Sequence, residues 1–280
     1  MTLKMLLAAA AVSMLAGAAA AQSASDWRTV SPENLLVIDT AKGRVLVELE
    51  PRAAPNHVER IRALTNRGFY DGLKFHRVIP NFMAQTGDPQ GTGAGGSDLP
   101  DVKGEFTFRR GRDSGFAPVE NSGPGLRGIM GSIPITTQPD AQMFVTADFK
   151  TTAQGLFCPG VAGMARAGSP DSANSQFFLM TGQNDMLNGG YTVFGRVLQG
   201  LDAVKALKAG SEAEDGKVAD PDVMTKVQLA SAMPEGQRPT ARVAVPGSAP
   251  FNAAVEAART ARGAQFGICD VQPAVQITGG

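Results

Sequence analysis

The sequence holds little with which to do nucleophilic or metal chemistry. Among its 280 residues are two histidines, His57 and His76, and two cysteines, Cys158 and Cys269. The ligand spacings of the usual zinc sites are missing, so neither a metal nor another cofactor is expected. A Ser-His-Asp hydrolase would need its base from that histidine pair, and no G-x-S-x-G elbow is present. His57 reads as a surface side chain at the start of a helix, His76 as a hydrogen-bonded structural residue inside a strand. Excess charge of one sign is missing too. The 26 Lys and Arg balance 26 Asp and Glu, which removes the electrostatic argument for a nucleic-acid partner. What the chain does have is 43% hydrophobic residues, 33 Gly and 18 Pro. That composition supports a sizeable core built from many turns and short strands rather than a helical bundle. The length, about twice the prior of roughly 150 residues per domain, allows two domains or one with attachments.

The first segment reads as an address. Lys4 precedes an apolar stretch from Met5 to Ala16, and small residues ending in Ala19, Ala20 and Ala21 precede Gln22. That is the pattern of a secretory signal over residues 1–21, cleaved after Ala21. The apolar stretch is shorter than the 18 or so residues a membrane span needs. The mature chain is therefore expected to be soluble and periplasmic or otherwise secreted, with no membrane insertion. No cysteine lies near the cleavage point, which excludes lipid attachment there. In an oxidising compartment Cys158 and Cys269 are candidates for a disulfide, the alternative being two free buried thiols.

Along the mature chain, residues 22–34 form a polar, unpatterned lead-in. Leu35 to Asp39 and Arg44 to Glu50 read as a hairpin around Thr40 to Gly43. Val58, Ile61 and Leu64 lie at helical spacing and predict an amphipathic helix from about His57 to Asn66. Strand character follows at Phe75 to Ile79, Phe82 to Thr86, Phe177 to Thr181, Tyr191 to Leu198 and Val223 to Leu229. A second short helix is predicted through Leu201, Val204 and Leu207. Residues 109–156 change texture to Gly, Pro, Thr and Arg and read as an insertion, with a strand expected at Gln142 to Thr146. Residues 233–280 are proline-rich with a helical stretch from Asn252 to Arg262. This tail is too poor in apolar residues to fold alone and is expected to dock on the main body.

Two stretches could carry chemistry. Phe75 to Asp88 reads FHRVIPNFMAQTGD, and alternation places Phe75, Arg77 and Ile79 on one strand face. Arg77 is then either a core-strand arginine reaching out to solvent or a cation lining a groove. Met164 to Phe178 reads MARAGSPDSANSQFF and adds Gln176 two residues before Phe178. Gly91, Gly93 and Gly96 satisfy G-x-G-x-x-G, yet Ser97, Asp98, Leu99 and Pro100 cannot open a helix after them. A flexible glycine loop beside a groove fits better than a dinucleotide site.

These two stretches, together with YTVFG at Tyr191 to Gly195 and GTGAGG at Gly91 to Gly96, resemble the cyclophilin-type peptidyl-prolyl cis-trans isomerases, and MARAGSPDSANSQFF resembles their bacterial, often periplasmic, branch. The resemblance runs from about Leu35 to Leu229 and is interrupted by the insertion. It implies a mainly β fold: a closed eight-stranded antiparallel barrel capped by two helices, here over residues 35–232. It implies Arg77 as the catalytic residue and Phe82, Met83, Phe178 and Leu187 as the proline pocket. Gln85, Ala165, Arg166, Ala167 and Gln176 would hold the peptide backbone. Two positions depart from well-known members: Met186 stands where many carry Trp, and Tyr191 where many carry His; both line the implied substrate site. The implied partners are proline-containing segments of unfolded or extended polypeptides, met by a monomer that assists the folding of exported proteins. The competing expectation is a proline-segment-binding chaperone with little turnover, its groove crossed by the insertion. Apart from the resemblance, a Cys158–Cys269 pair, if formed, would pin the tail to the main body just before the MARAG strand.

Overall fold

Eight strands of the computed structural model, which describes residues 26–122 and 125–279, form one curled antiparallel sheet. The leader expected over residues 1–21 lies outside the described residues. In chain order the strands are β1 (Leu35–Thr40), β2 (Gly43–Leu49), β3 (Arg77–Ile79), β4 (Met83–Thr86), β5 (Val161–Met164), β6 (Phe177–Met180), β7 (Val193–Gln199) and β8 (Met224–Leu229). In space they run β8-β1-β2-β7-β5-β6-β4-β3. The continuous ladder makes an open half-barrel. Among the described residues its edge strands β3 and β8 share no ladder; that side of the molecule is crossed by isolated bridges, Lys74 to Val223 and Arg77 to Lys217, and by backbone hydrogen bonds such as Val218 N–H to His76 O.

Leu36, Ile38, Val45, Val47 and Leu49 project inward, as the period of two requires, to meet Val58, Ile61 and Leu64 of helix α1 (Pro55–Asn66). The opposite face of the same strands is apolar as well. Leu35, Val37 and Leu46 are buried against Ala241 and Val243 of the tail, which explains why β1 and β2 read as nearly continuous apolar runs. The tail strand Thr240–Ala244 pairs on one side with Val275–Thr278 and on the other with Trp27–Thr29. The residues expected to be an unpatterned lead-in thus include a strand, whose partner lies more than 200 positions away in sequence.

Helix α1 begins with Pro55, whose fixed φ suits a first helical position. The preceding Ala54 offers no side-chain cap, and Glu105 supplies one from a distant loop. Its carboxylate accepts from the backbone N–H groups of Asn56 and His57 and lies 2.7 Å from His57 Nδ1. His57 is therefore fully buried, not the surface side chain its neighbours suggest. His76 is also buried, but neither ring nitrogen reaches a hydrogen-bond partner, contrary to expectation. Burial lowers its pKa, outweighing Asp88 and the Lys74 backbone, which pull the other way. The second helix, α2, is only Leu201–Lys205.

The insertion has a sheet of its own, with spatial order Phe108–Arg110, Thr151–Gly155, Ile133–Thr137, Gly125–Met130, Phe116–Ser122. The strand expected at Gln142 to Thr146 is instead a 3-10 turn, Asp140–Val145. Pro139 opens it with a carbonyl that accepts from Gln142 N–H, and only Met143 of the segment is buried, so no face exists for a strand to cover. Ile129, Ile133 and Ile135 of the insertion share one core with Phe251, Val255 and Ile268 of the tail and with Met83, Phe178 and Met180 of the main sheet. Helix α3 (Ala249–Arg262) supplies the first two of those tail residues.

Two further ties join these segments, the first linking the main body to the tail and the second reaching all three. Cys158 and Cys269 form a disulfide across 111 positions, with Cα atoms 4.8 Å apart. Arg196 of β7 is wholly buried and donates to the carbonyl of Ser132 in the insertion (3.0 Å) and to that of Val271 in the tail (2.8 Å). Its other acceptors, Pro159 O and Gln272 Oε1, are neutral too. Burial without a carboxylate partner pushes its pKa down to about 9.

Candidate active site

Cross-strand register builds the polar half of the site. Arg77 on β3 stands opposite Gln85 on β4, and Gln85 stands opposite Phe178 on β6. Arg77 Nη1 donates to Gln85 Oε1 (3.2 Å), and Gln85 Nε2 donates to Gln176 Oε1 (2.8 Å). Gln176 Nε2 in turn donates to the carbonyls of Gly93 (3.0 Å) and Gly95 (2.8 Å). One chain of hydrogen bonds thus links the guanidinium to the glycine loop. Arg77 does not share a face with Phe75 as simple alternation suggests. Phe75 and Val78 both enter the core inside the half-barrel, because the regular strand begins only at Arg77, and this turns Arg77 and Ile79 outward.

The apolar half lies on the outer face of β4 and β6. Met83 and Phe178 are buried, and Phe82, Leu187 and Tyr191 pack partly buried against them. Beneath them is a residue the sequence motifs did not single out, Phe157. Its ring stacks on Phe178 (centroids 5.7 Å apart) and meets Tyr191 edge-on at 6.5 Å. The rings come this close to β5 because position 163 is glycine: a Cβ there would stand 2.6 Å from both Phe157 and Phe178. The only sequence signal for Phe157 is its place beside Cys158.

Gln85, Ala165, Arg166, Ala167 and Gln176, the five residues expected to hold a peptide backbone, line one groove of about 620 Å³ together with Gly93 to Gly96. No residue of the 109–156 insertion is in that lining. The Arg166 guanidinium lies 4.5 Å over the Tyr191 ring, and its Nε donates to Gly190 O (2.9 Å). Met186 does not join these groups; it is 92% exposed.

The glycine loop is fastened rather than loose. Asp88, 1% exposed, accepts from the backbone N–H groups of Gln90 (2.7 Å), Thr92 (2.8 Å) and Gly93 (2.6 Å). Burial alone would raise the Asp88 pKa, but backbone donation from Gln90, Gly95, Gly93 and Thr92 outweighs it and holds the carboxyl below its ordinary 3.8. A group with a lowered folded-state pKa stabilises the fold fully above its unfolded value and loses that contribution as the pH falls through the folded value. The amide resonances of Gly91 to Gly96 are therefore expected to hold their positions from pH 7 to about 4 and to shift only below it. Asp88→Ala should move them at every pH, and should raise KM several-fold with little change in kcat.

The arrangement offers a fixed cation beside an apolar floor and an open groove. Among the described residues no three His, Cys, Asp or Glu side chains are grouped as a metal site.

A family model described as cyclophilin type peptidyl-prolyl cis-trans isomerase/CLD matches residues 35–229. The chain is 37% identical over 235 residues to a protein of Brucella suis named probable peptidyl-prolyl cis-trans isomerase, covering 80% of this chain and 94% of that one. It is 33% identical over 180 residues to peptidyl-prolyl cis-trans isomerase-like 1 of Gibberella zeae, covering 63% of this chain and 85% of the other. Among solved structures it resembles cyclophilin AquaCyp293 from Hirschia baltica, with a TM-score of 0.81 and 33% identity, over 90% of this chain and 94% of that one.

Proposed function

The chain belongs to the cyclophilin-type peptidyl-prolyl cis-trans isomerases, and on that premise we propose that Arg77 is its catalytic residue and that its substrates are exported polypeptides. Isomerisation must overcome a barrier of about 18–20 kcal/mol that arises from amide resonance. No nucleophile and no titrating base are required. When the bond twists, resonance is lost and the proline nitrogen becomes a hydrogen-bond acceptor. A guanidinium held at that nitrogen stabilises the twisted state more than either planar ground state, which is what a catalyst must do.

In this reading Met83, Phe178, Phe82 and Leu187 hold the proline ring on the floor stiffened by Phe157. Gln85, Gln176, Ala165, Arg166 and Ala167 hold the flanking backbone, and Tyr191 closes one side. Met186 stays at the rim. The observation that carries the proposal is the Arg77–Gln85–Gln176 chain, which fixes a cation beside an apolar surface and leads into an open groove. A fully protonated planar fork suits the task better than a lysine, because two separate acceptors can hold its orientation. That the insertion contributes nothing to the groove lining favours turnover over binding alone.

Export rests on the leader pattern of residues 1–21 and is consistent with the disulfide, which forms and persists outside the cytosol. The reading is thus of a periplasmic monomer that assists folding after translocation. Exchange spectroscopy on a Xaa-Pro peptide with the mature chain, Gln22 to Gly280, tests the chemistry. Catalysed exchange between cis and trans resonances is the expected result. Binding shifts without exchange would replace the enzyme by a proline-segment chaperone. Intact mass of the protein recovered from a periplasmic fraction tests the address, and an uncleaved Met1 would remove it.

A further inference from the structure

A guanidinium has five N–H donors. Gln85 accepts from one on Arg77, and the two on the Nε edge go to a residue outside every sequence motif described above: Arg77 Nε donates to the backbone oxygen of Asp215 (2.8 Å) and Nη2 to its Oδ1 (2.9 Å). We propose that Asp215 is a positioning residue for the isomerisation, clamping the Arg77 guanidinium together with Gln85 so that its two remaining N–H donors meet the substrate in one orientation. The inference rests on the reading of Arg77 as the catalytic residue.

The backbone around Asp215 is shaped to make this contact. The residue ends the 3-10 turn Glu212–Glu214 in a left-handed conformation, φ 53° and ψ 40°, which Asp tolerates better than most residues. Gly216 follows at φ 80°, packed so closely on Ile79 that a Cβ there would collide with it. The loop is sewn to the strand that carries Arg77. Val78 N–H donates to Gly216 O (2.8 Å), and Gly210 N–H donates to Val78 O (2.9 Å). Across the loop, Gly216 N–H donates to Ser211 O (2.8 Å) and Ser211 N–H to Lys217 O (3.0 Å). The loop and the arginine therefore share one frame.

Exposure separates a positioning role from a stabilising one. The Asp215 side chain is 81% exposed and that of Arg77 29% exposed. Such a surface pair adds little to folding stability. What it fixes is the direction of a side chain with several rotatable bonds, and misdirected catalytic groups are costly in rate. Removing the carboxylate should consequently show in turnover and not in melting temperature.

The test is a set of variants in the mature enzyme, with kcat and KM measured by exchange spectroscopy and melting temperature measured in parallel. Asp215→Ala is expected to lower kcat by about tenfold, with KM changed less than about twofold and the melting temperature lowered only slightly by alanine at φ 53°, a strain that Asp215→Gly avoids while giving the same loss of kcat. Asp215→Asn keeps an oxygen acceptor and is expected to recover most of the loss. In an Arg77→Ala background, Asp215→Ala is expected to cost nothing further, because the group it positions is gone. Unchanged kcat in Asp215→Ala, no recovery with Asn, or an independent loss in the Arg77→Ala background would each overturn the inference. An active Arg77→Ala enzyme is a different failure: it would remove the assignment of Arg77 itself.

Discussion

Arg77→Ala is expected to lower kcat/KM for a Xaa-Pro peptide by at least tenfold, and by up to about 100-fold, equivalent to ~2.7 kcal/mol of transition-state stabilisation. Most of the loss should fall on kcat. The apolar floor and the groove are made by other residues and remain to bind substrate. The fold should survive, since the arginine side chain is partly exposed and its ion pair with Asp215 lies at the surface. Arg77→Lys should rescue little, because a single ammonium cannot satisfy Gln85 and both Asp215 oxygens and still offer a donor in a fixed plane. His76→Gln is the control for the discarded hydrolase chemistry. His76 is buried next to the site without a ring partner, and its replacement should leave kcat near the parent value. A folded but inactive His76→Gln enzyme alongside an active Arg77→Ala enzyme would reverse the assignment.

The second large effect is on stability. Replacing Cys158 and Cys269 by serine opens a loop of 111 residues. On the chain-entropy description a cross-link over about 100 residues contributes on the order of 4–5 kcal/mol. At roughly 2–4 °C per kcal/mol for a chain of this size, the melting temperature should drop by about 10 °C or more. Calorimetry on the oxidised parent, the reduced parent and the double serine variant measures it, with alkylation and intact mass reporting the thiols. An unchanged melting temperature would mean that the apolar contacts of Phe251, Val255 and Ile268 hold the tail unaided.

The polar chain of the site was legible in the sequence because it follows local register. Arg77, Gln85 and Gln176 lie in the two short motifs that carry the resemblance; antiparallel pairing sets Arg77 opposite Gln85, and Gln176, just before β6, reaches Gln85 with its side chain. Asp215 was not legible. It belongs to no motif, and its Asp-Gly dipeptide reads as an ordinary turn. The elements that escaped share a cause: their structure is set by partners remote in sequence. Trp27–Thr29 is a strand only because Thr240–Ala244 lies beside it. His57 is buried at the start of α1, where its ring partner Glu105 lies 48 positions on. The hairpin and both main-sheet helices depend on nearby residues, and their boundaries came within a few positions.

Arg196 makes the insertion and the tail depend on each other. Its hydrogen bonds reach the insertion at Ser132 and the tail at Val271 and Gln272, and among the described residues no carboxylate accepts from it. Loosening one segment takes acceptors from a guanidinium that the other segment still covers, and an under-satisfied buried cation is costly. The two additions to the half-barrel are therefore expected to loosen together rather than one at a time.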